Sequence, residues 1–172
     1  MERLARKIAP AKWEKKAYLR EDSIAADAIS SCLRSRDNAL SFWVCDEAES
    51  SLQEVVLACA SSSHYDRPEK MHLVVLDTKA LLDSRLQIAR TDGDTLVNSL
   101  RQTHRDIVHL SIEDLCTIAH LIAPRVRADR DCHVFSKAEV LGILRTAVRA
   151  GRLSLDLLSE KVRAAIEKGE QT

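Results

Sequence analysis

The feature that most constrains this chain is the stretch from Ala39 to Asp77, "ALSFWVCDEAESSLQEVVLACASSSHYDRPEKMHLVVLD". Its first eight residues, 39–46, carry the aromatic and β-branched run Phe42, Trp43 and Val44 and are bounded by turn and cap residues, which predicts a strand. Asp46 is placed to cap the helix that follows, in which Leu52, Val55, Val56 and Cys59 fall on one apolar stripe. Pro68 and its polar neighbours then force a loop. The continuous apolar run at 71–77 predicts a buried strand. Strand, helix, strand in that order predicts two parallel neighbours in one sheet.

The flanking segments supply the remaining elements. In "DSIAADAISSCLR", Ala25, Ala28, Ile29 and Cys32 recur at helical spacing, with Asp22 or Ser23 as N-cap. Between 78 and 105, "TKALLDSRL" reads as a short helix, "LQIAR" as a strand and "TDGD" as a turn; residues 105–110, "RDIVHL", predict another principal strand. Ser111 and Asp114 then open a helix as a capping box, with Ile112, Leu115, Cys116, Ala119 and Ile122 on one face and Pro124 as its end. Ser136 and Glu139 repeat the device for a helix burying Val140, Leu141, Leu144, Ala147 and Val148 and stopping at Gly151. A last helix from about Leu155 presents Leu158, Val162, Ala165 and Ile166 and ends at Gly169.

These elements predict an α+β fold, a small mixed sheet of three to four strands flanked by helices, with a C-terminal helical hairpin. The expected organisation is a basic N-terminal arm over 1–20, an α+β core over 21–122 and a helical subdomain over 123–172 packed on it. With aromatic residues only 3% of the 172 positions, the core must be built from Leu, Val, Ile and Ala. Such a chain is long enough to bury that core without disulfide staples.

Charge and composition exclude several classes. The 26 basic and 26 acidic side chains cancel, so no global field recruits nucleic acid or an anionic membrane. The excess is local: Arg3, Arg6, Lys7, Lys12, Lys15, Lys16 and Arg20 face only Glu2 and Glu14 in the first twenty residues, and mark the place where nucleic acid or an acidic partner would be met. No apolar run suits a signal peptide or a membrane span, and the five cysteines, Cys32, Cys45, Cys59, Cys116 and Cys132, have no regular spacing. Reduced thiols in the cytoplasm are therefore expected. Four glycines, none in a rich loop, leave nothing to cradle phosphates, and no Gly-x-Ser-x-Gly elbow is present. No cofactor is expected.

The segment "LRTAVRAGRLSLDLLSEKVRAAIEKG" resembles the helix, "GRLS", helix arrangement of bacterial SHOCT-type domains. Gly151, Arg152, Leu153 and Ser154 carry the resemblance, followed by an amphipathic helix, with Leu157 after the acidic position; it extends over residues 136–168 only. The resemblance implies an element for interaction or oligomerisation, with no chemistry of its own.

Three constellations are candidates for chemistry or recognition. Cys116 and His120 sit four apart on a predicted helix and, with Cys132 and His133, could supply zinc ligands; adjacent residues such as the last two point in different directions, which argues instead for buried thiols and surface histidines. Asp92, Asp94, His104 and Asp106 supply carboxylates and an imidazole for a divalent-metal phosphodiesterase or nuclease, and His104 and Asp106 alternate onto one face if the strand begins that early. The spacing fits no calcium loop or zinc-protease motif, and Asp-Gly is first a turn former. The C-terminal helices invite comparison with a DNA reader, but Lys161, Arg163 and Lys168 alternate with Asp156, Glu160 and Glu167. The leading expectation is a non-enzymatic accessory or protein-interaction protein, of antitoxin, immunity or regulatory type. A metal-dependent phosphodiesterase and a DNA-binding regulator are its alternatives.

Overall fold

A computed structural model describes residues 2–17, 19–20, 23–46 and 48–168. Among these residues, six strands form one sheet: β1 (Arg3–Ile8), β2 (Leu40–Cys45), β3 (Met71–Asp77), β4 (Gln87–Arg90), β5 (His104–Val108) and β6 (Cys132–Phe135). Their order is β4-β5-β2-β1-β3-β6, and each neighbouring pair is antiparallel. The fold is α+β as expected, but the sheet is larger than the three to four strands read from sequence and contains no parallel pair. β2 and β3 do run in the same direction. The strand between them is β1, antiparallel to both.

The first residues of the expected basic arm thus form an interior strand. Leu4 and Ile8 point to one face of the sheet and Ala5 to the other, all buried. The charged heads between them are accommodated at the margins: Arg3 pairs with Asp77 and Asp131, and Lys7 with Glu69. Arg6 donates to the carbonyls of Ser41 and Cys32 and lies 5.6 Å from the centre of the Phe42 ring. Burial lowers its guanidinium pKa to about 10, so it remains a cation at neutral pH.

Among the described residues, five helices cover the two faces: α1 (Glu49–Ala60), α2 (Thr78–Asp83), α3 (Ile112–Arg127), α4 (Lys137–Arg149) and α5 (Glu160–Lys168). On one face Ala5, Trp43, Leu73 and Val75 pack beneath α1, α4 and α5. On the other, Leu4, Phe42, Val74, Leu76 and Ile107 pack against Leu81 of α2 and Ile118, Ala119 and Ile122 of α3. Strand alternation feeds both cores at once.

The helix ends obey local chemistry where it is strong. Both expected capping boxes are present, Ser111 with Asp114 and Ser136 with Glu139. Gly151 takes φ +67° after α4, and the Arg152 N–H reaches the Ala147 carbonyl at 2.9 Å, the left-handed stop that glycine permits. Elsewhere the expectations shift. Asp46 accepts from the Ala48 N–H at 2.8 Å but does not cap α1, whose N-cap is Ala48. Only a π-helical turn, Ala28–Cys32, stands for most of the expected first helix; Asp22, one proposed cap, lies outside the described residues, as does Gly169. α3 continues through Pro124, and α5 begins at Glu160 after a 3-10 turn at Leu155–Leu157. Ile112, assigned to the buried stripe of α3, is 74% exposed. Among the described residues no helix is long and apolar enough to cross a membrane.

Candidate functional site

The site follows from three strands that leave one end of the α1-facing surface uncovered. Ser41 and Trp43 alternate on β2, and the register pairs Ser41 with Asp106 and Trp43 with His104 of β5. All four side chains therefore share a face. Lys7 of β1 and the segment leaving α1, with Cys59, Ser62, His64 and Tyr65, complete one wall. The other wall is the loop after β4, carrying Asp92 and Asp94. Together they enclose a groove of about 480 Å³. The four acidic and imidazole residues singled out from the sequence all line it.

Gly93 explains how the loop reaches the sheet. A Cβ there would lie 2.3 Å from the Trp43 ring and 2.9 Å from the His104 Cβ, so only a glycine backbone can pass. The loop is then pinned by the Gly93 N–H to the Arg101 carbonyl at 3.0 Å and the Leu96 N–H to the Ser61 carbonyl at 2.9 Å. A buried Ser61–Thr95 hydroxyl pair at 2.8 Å closes it. Asp94 accepts from the Ser63 hydroxyl at 2.7 Å and lies 3.9 Å from His64.

At the floor, Thr91 links the two residues of β5. Its Oγ1 donates to Asp106 Oδ2 at 2.8 Å and stands 2.8 Å from His104 Nδ1. A threonine hydroxyl has one proton, so with that proton committed to Asp106 it must accept from His104 Nδ1–H. The chain Nδ1–H to Oγ1–H to carboxylate fixes one tautomer and leaves Nε2 with its lone pair. Burial holds the His104 imidazole below its usual pKa, opposed by the charge of Asp106, and keeps the ring neutral. Trp43 packs edge-on against it with ring centres 4.8 Å apart. Asp106 is further tied by the Ser41 hydroxyl at 3.0 Å.

The electrostatic balance of the groove is acidic. Among the described residues that line it, Asp92, Asp94 and Asp106 face one ammonium, Lys7, which is itself paired with Glu69 and lies 5.6 Å from the centre of the Tyr65 ring, while the Arg6 and Arg105 guanidiniums act on His104 from outside the lining. Tyr65 accepts from the Glu69 N–H at 3.1 Å, and burial raises its phenol pKa. Cys59 is no thiolate: burial pushes it up to about 11. Nucleophilic thiol chemistry is therefore not what the groove is built for.

Among the described residues, no group of three or more His, Cys, Asp or Glu side chains is arranged to hold a metal ion. In the groove, Asp106 and Asp94 are engaged with hydroxyls instead. The other candidate set does not converge. His120 Nδ1 turns back to the Cys116 carbonyl at 2.7 Å, Cys132 packs toward the α3 side, and His133 alternates to the opposite face of β6. Beyond those of β1, Lys12 pairs with Asp27 at 3.1 Å and Lys16 donates to the Ala11 carbonyl at 3.0 Å.

Sequence reasoning missed Thr91, Ser41, Trp43 and Tyr65. The alternation of "LSFWVC" carried the signal for Ser41 and Trp43, since residues two apart on a strand share a face. What it lacked was the register against β5. The fold is thus an antiparallel six-stranded sheet covered by helices on both faces, with an acidic groove at one end of the sheet. Scans against family models and searches of curated proteins and of solved structures find no match to the chain.

Proposed function

We propose that this protein binds a small cationic amine in the groove, through the carboxylates of Asp92 and Asp94 and an N–H···Nε2 hydrogen bond to His104. The observation that carries the reading is the Thr91 link, which sets His104 as a neutral acceptor beside Asp106. Among the described residues that line the groove, three carboxylates against one paired lysine favour a cation, and the volume suits a small molecule. Trp43 adds an aromatic wall beside the charge. A phosphodiester would meet the same three carboxylates unscreened, so the hydrolase alternative needs a bound cation to offset them.

The reading predicts acid sensitivity. Protonation removes the Nε2 acceptor and adds a like charge beside the ammonium. His104 titrates below the usual imidazole value, so affinity should hold at neutral pH and fall as the pH drops through the region under about 6.5. The test is ¹⁵N NMR of labelled histidines during titration with primary amines, from ethanolamine to amino sugars and polyamines. Expected are an Nδ1–H tautomer at His104 and movement of its Nε2 signal on binding, weakened by Asp92→Asn and Asp94→Asn. If no amine moves that signal at millimolar concentration, or the two Asn variants bind as well as the original chain, the reading fails.

A further inference from the structure

A second cavity, of about 330 Å³, adjoins the acidic groove: Lys7, Ser41, Trp43 and Cys59 line both. It opens where two strands part. The β1–β2 ladder ends at the pair Ala5–Trp43, although β1 stays paired with β3 as far as Ile8 and β2 with β5 as far as Leu40. The Arg6 side chain takes the place of the missing ladder, donating to the Ser41 carbonyl at 2.6 Å and to the Cys32 carbonyl at 2.9 Å. All three residues line the cavity.

Arg6 is the charge that this end of the sheet leaves uncompensated. Arg3 and Lys7, on the same strand, each meet a carboxylate, whereas among the described residues Arg6 forms no ion pair. Asp106 acts on it through space and is itself held by the Thr91 and Ser41 hydroxyls. Carbonyl oxygens satisfy N–H groups but supply no net charge, and the Arg6 Nε is buried with no hydrogen-bond partner among the described residues. A desolvated cation without a counter-ion is costly, and a planar guanidinium suits an oxyanion. Its charge also reaches the neighbouring groove: after burial, it is one of the charges that hold the His104 pKa down.

We propose that this cavity takes the oxyanion of the ligand whose amine enters the acidic groove. The ligand is then a small zwitterion, with its ammonium at Asp92 and Asp94 and a carboxylate or phosphate at Arg6. The inference rests on the amine reading and adds a counter-charge to it. The shared wall of Lys7, Ser41 and Trp43 lets one short chain run from the first cavity into the second. An amine alone leaves Arg6 without a counter-ion, and an anion alone leaves the carboxylates of the groove without one.

The experiment is isothermal titration calorimetry of the full chain against matched ligands. The carboxylate arm runs from β-alanine through γ-aminobutyrate to ε-aminocaproate, each beside the alkylamine of its own length; the phosphate arm sets phosphoethanolamine beside ethanolamine. In one arm the zwitterion should bind about tenfold more tightly than its matched amine, the worth of one charge-assisted contact, and the arm that gains tells carboxylate from phosphate. Neutralising that anion as its methyl ester should remove the gain, a comparison that needs no variant to fold. Arg6→Gln should remove the same gain, while the bare amine, relieved of a like charge, binds somewhat more tightly. Amines that bind with no gain for any zwitterion overturn this inference and leave the amine reading standing; a chain that binds none of these ligands overturns both. A gain kept by the methyl ester, or kept in Arg6→Gln, also overturns the inference, because the anion is then not met at Arg6.

Discussion

Replacing Thr91 by valine keeps the β-branched shape and removes one hydroxyl, which makes it the sharpest single probe of the proposed amine site. Asp106 Oδ2 loses a donor and His104 Nδ1–H its acceptor, both partly buried. The expected cost is about 1–3 kcal/mol in urea unfolding, with loss of the single His104 tautomer in ¹⁵N spectra. The direction with pH follows from His104 itself. Folding lowers its pKa, so below about 6.5 the unfolded chain takes up a proton that the folded chain resists. Stability is therefore complete above that value and declines as the pH falls toward the lower, folded pKa; His72, lowered by burial and by Lys70, adds to the same slope. Urea midpoints between pH 7.5 and 5.5 should drop, and drop less in His104→Gln. Gly93→Ala should cost about 1–3 kcal/mol as its Cβ is driven into Trp43, and should displace Asp92 and Asp94 with the loop. At this scale the sequence was informative about residue types and silent about partners. Asp92, Asp94, His104 and Asp106 were visible as a cluster, but Thr91 reads as an ordinary turn residue until the β4–β5 pairing places it beside His104.

Elements were legible where their determinants are local. A capping box lies within four residues, and Ser111–Asp114 and Ser136–Glu139 both mark real helix starts. The glycine stop at Gly151 needs only its own φ and two neighbouring carbonyls. Pro124 misled for a reason the structure supplies. A proline removes one helical N–H and disturbs the carbonyls one turn back. Ile122 and Ala123, in the turn before it, are buried against the sheet. Packing thus carries α3 past a residue that would end an isolated helix. Gly142 tests the same balance in the opposite sense. Because its Cβ would meet open space, Gly142→Ala should raise stability by about 1 kcal/mol in chemical denaturation. An unchanged or lower midpoint would mean that the glycine serves the fold of α4.

The strands at 71–77 and 105–110 were recognised almost to their ends, yet the sheet they build was not, because neighbours in a sheet are chosen by contacts far apart in sequence. β1 is the decisive case. Its three charges in six residues read as a solvated arm, and nothing within the segment shows that Asp77, Asp131 and Glu69 stand ready to pair with Arg3 and Lys7. Those acids come from β3, the turn before β6 and the loop before β3. The two descriptions of residues 1–8 make opposite predictions. An arm could be removed without effect on stability. As the strand between β2 and β3, residues 3–8 carry the ladder hydrogen bonds of both neighbours and bury Leu4 in one core and Ala5 in the other. Deleting residues 1–8 should therefore abolish cooperative unfolding and collapse the dispersion of the amide NMR spectrum. Leu4→Ala, a milder change at a fully buried position, should cost about 2–5 kcal/mol, a large part of the 5–15 kcal/mol that holds a domain of this kind together. A truncated chain that melts like the full one would detach β1 from the sheet, and with it Lys7 from the wall of the acidic groove.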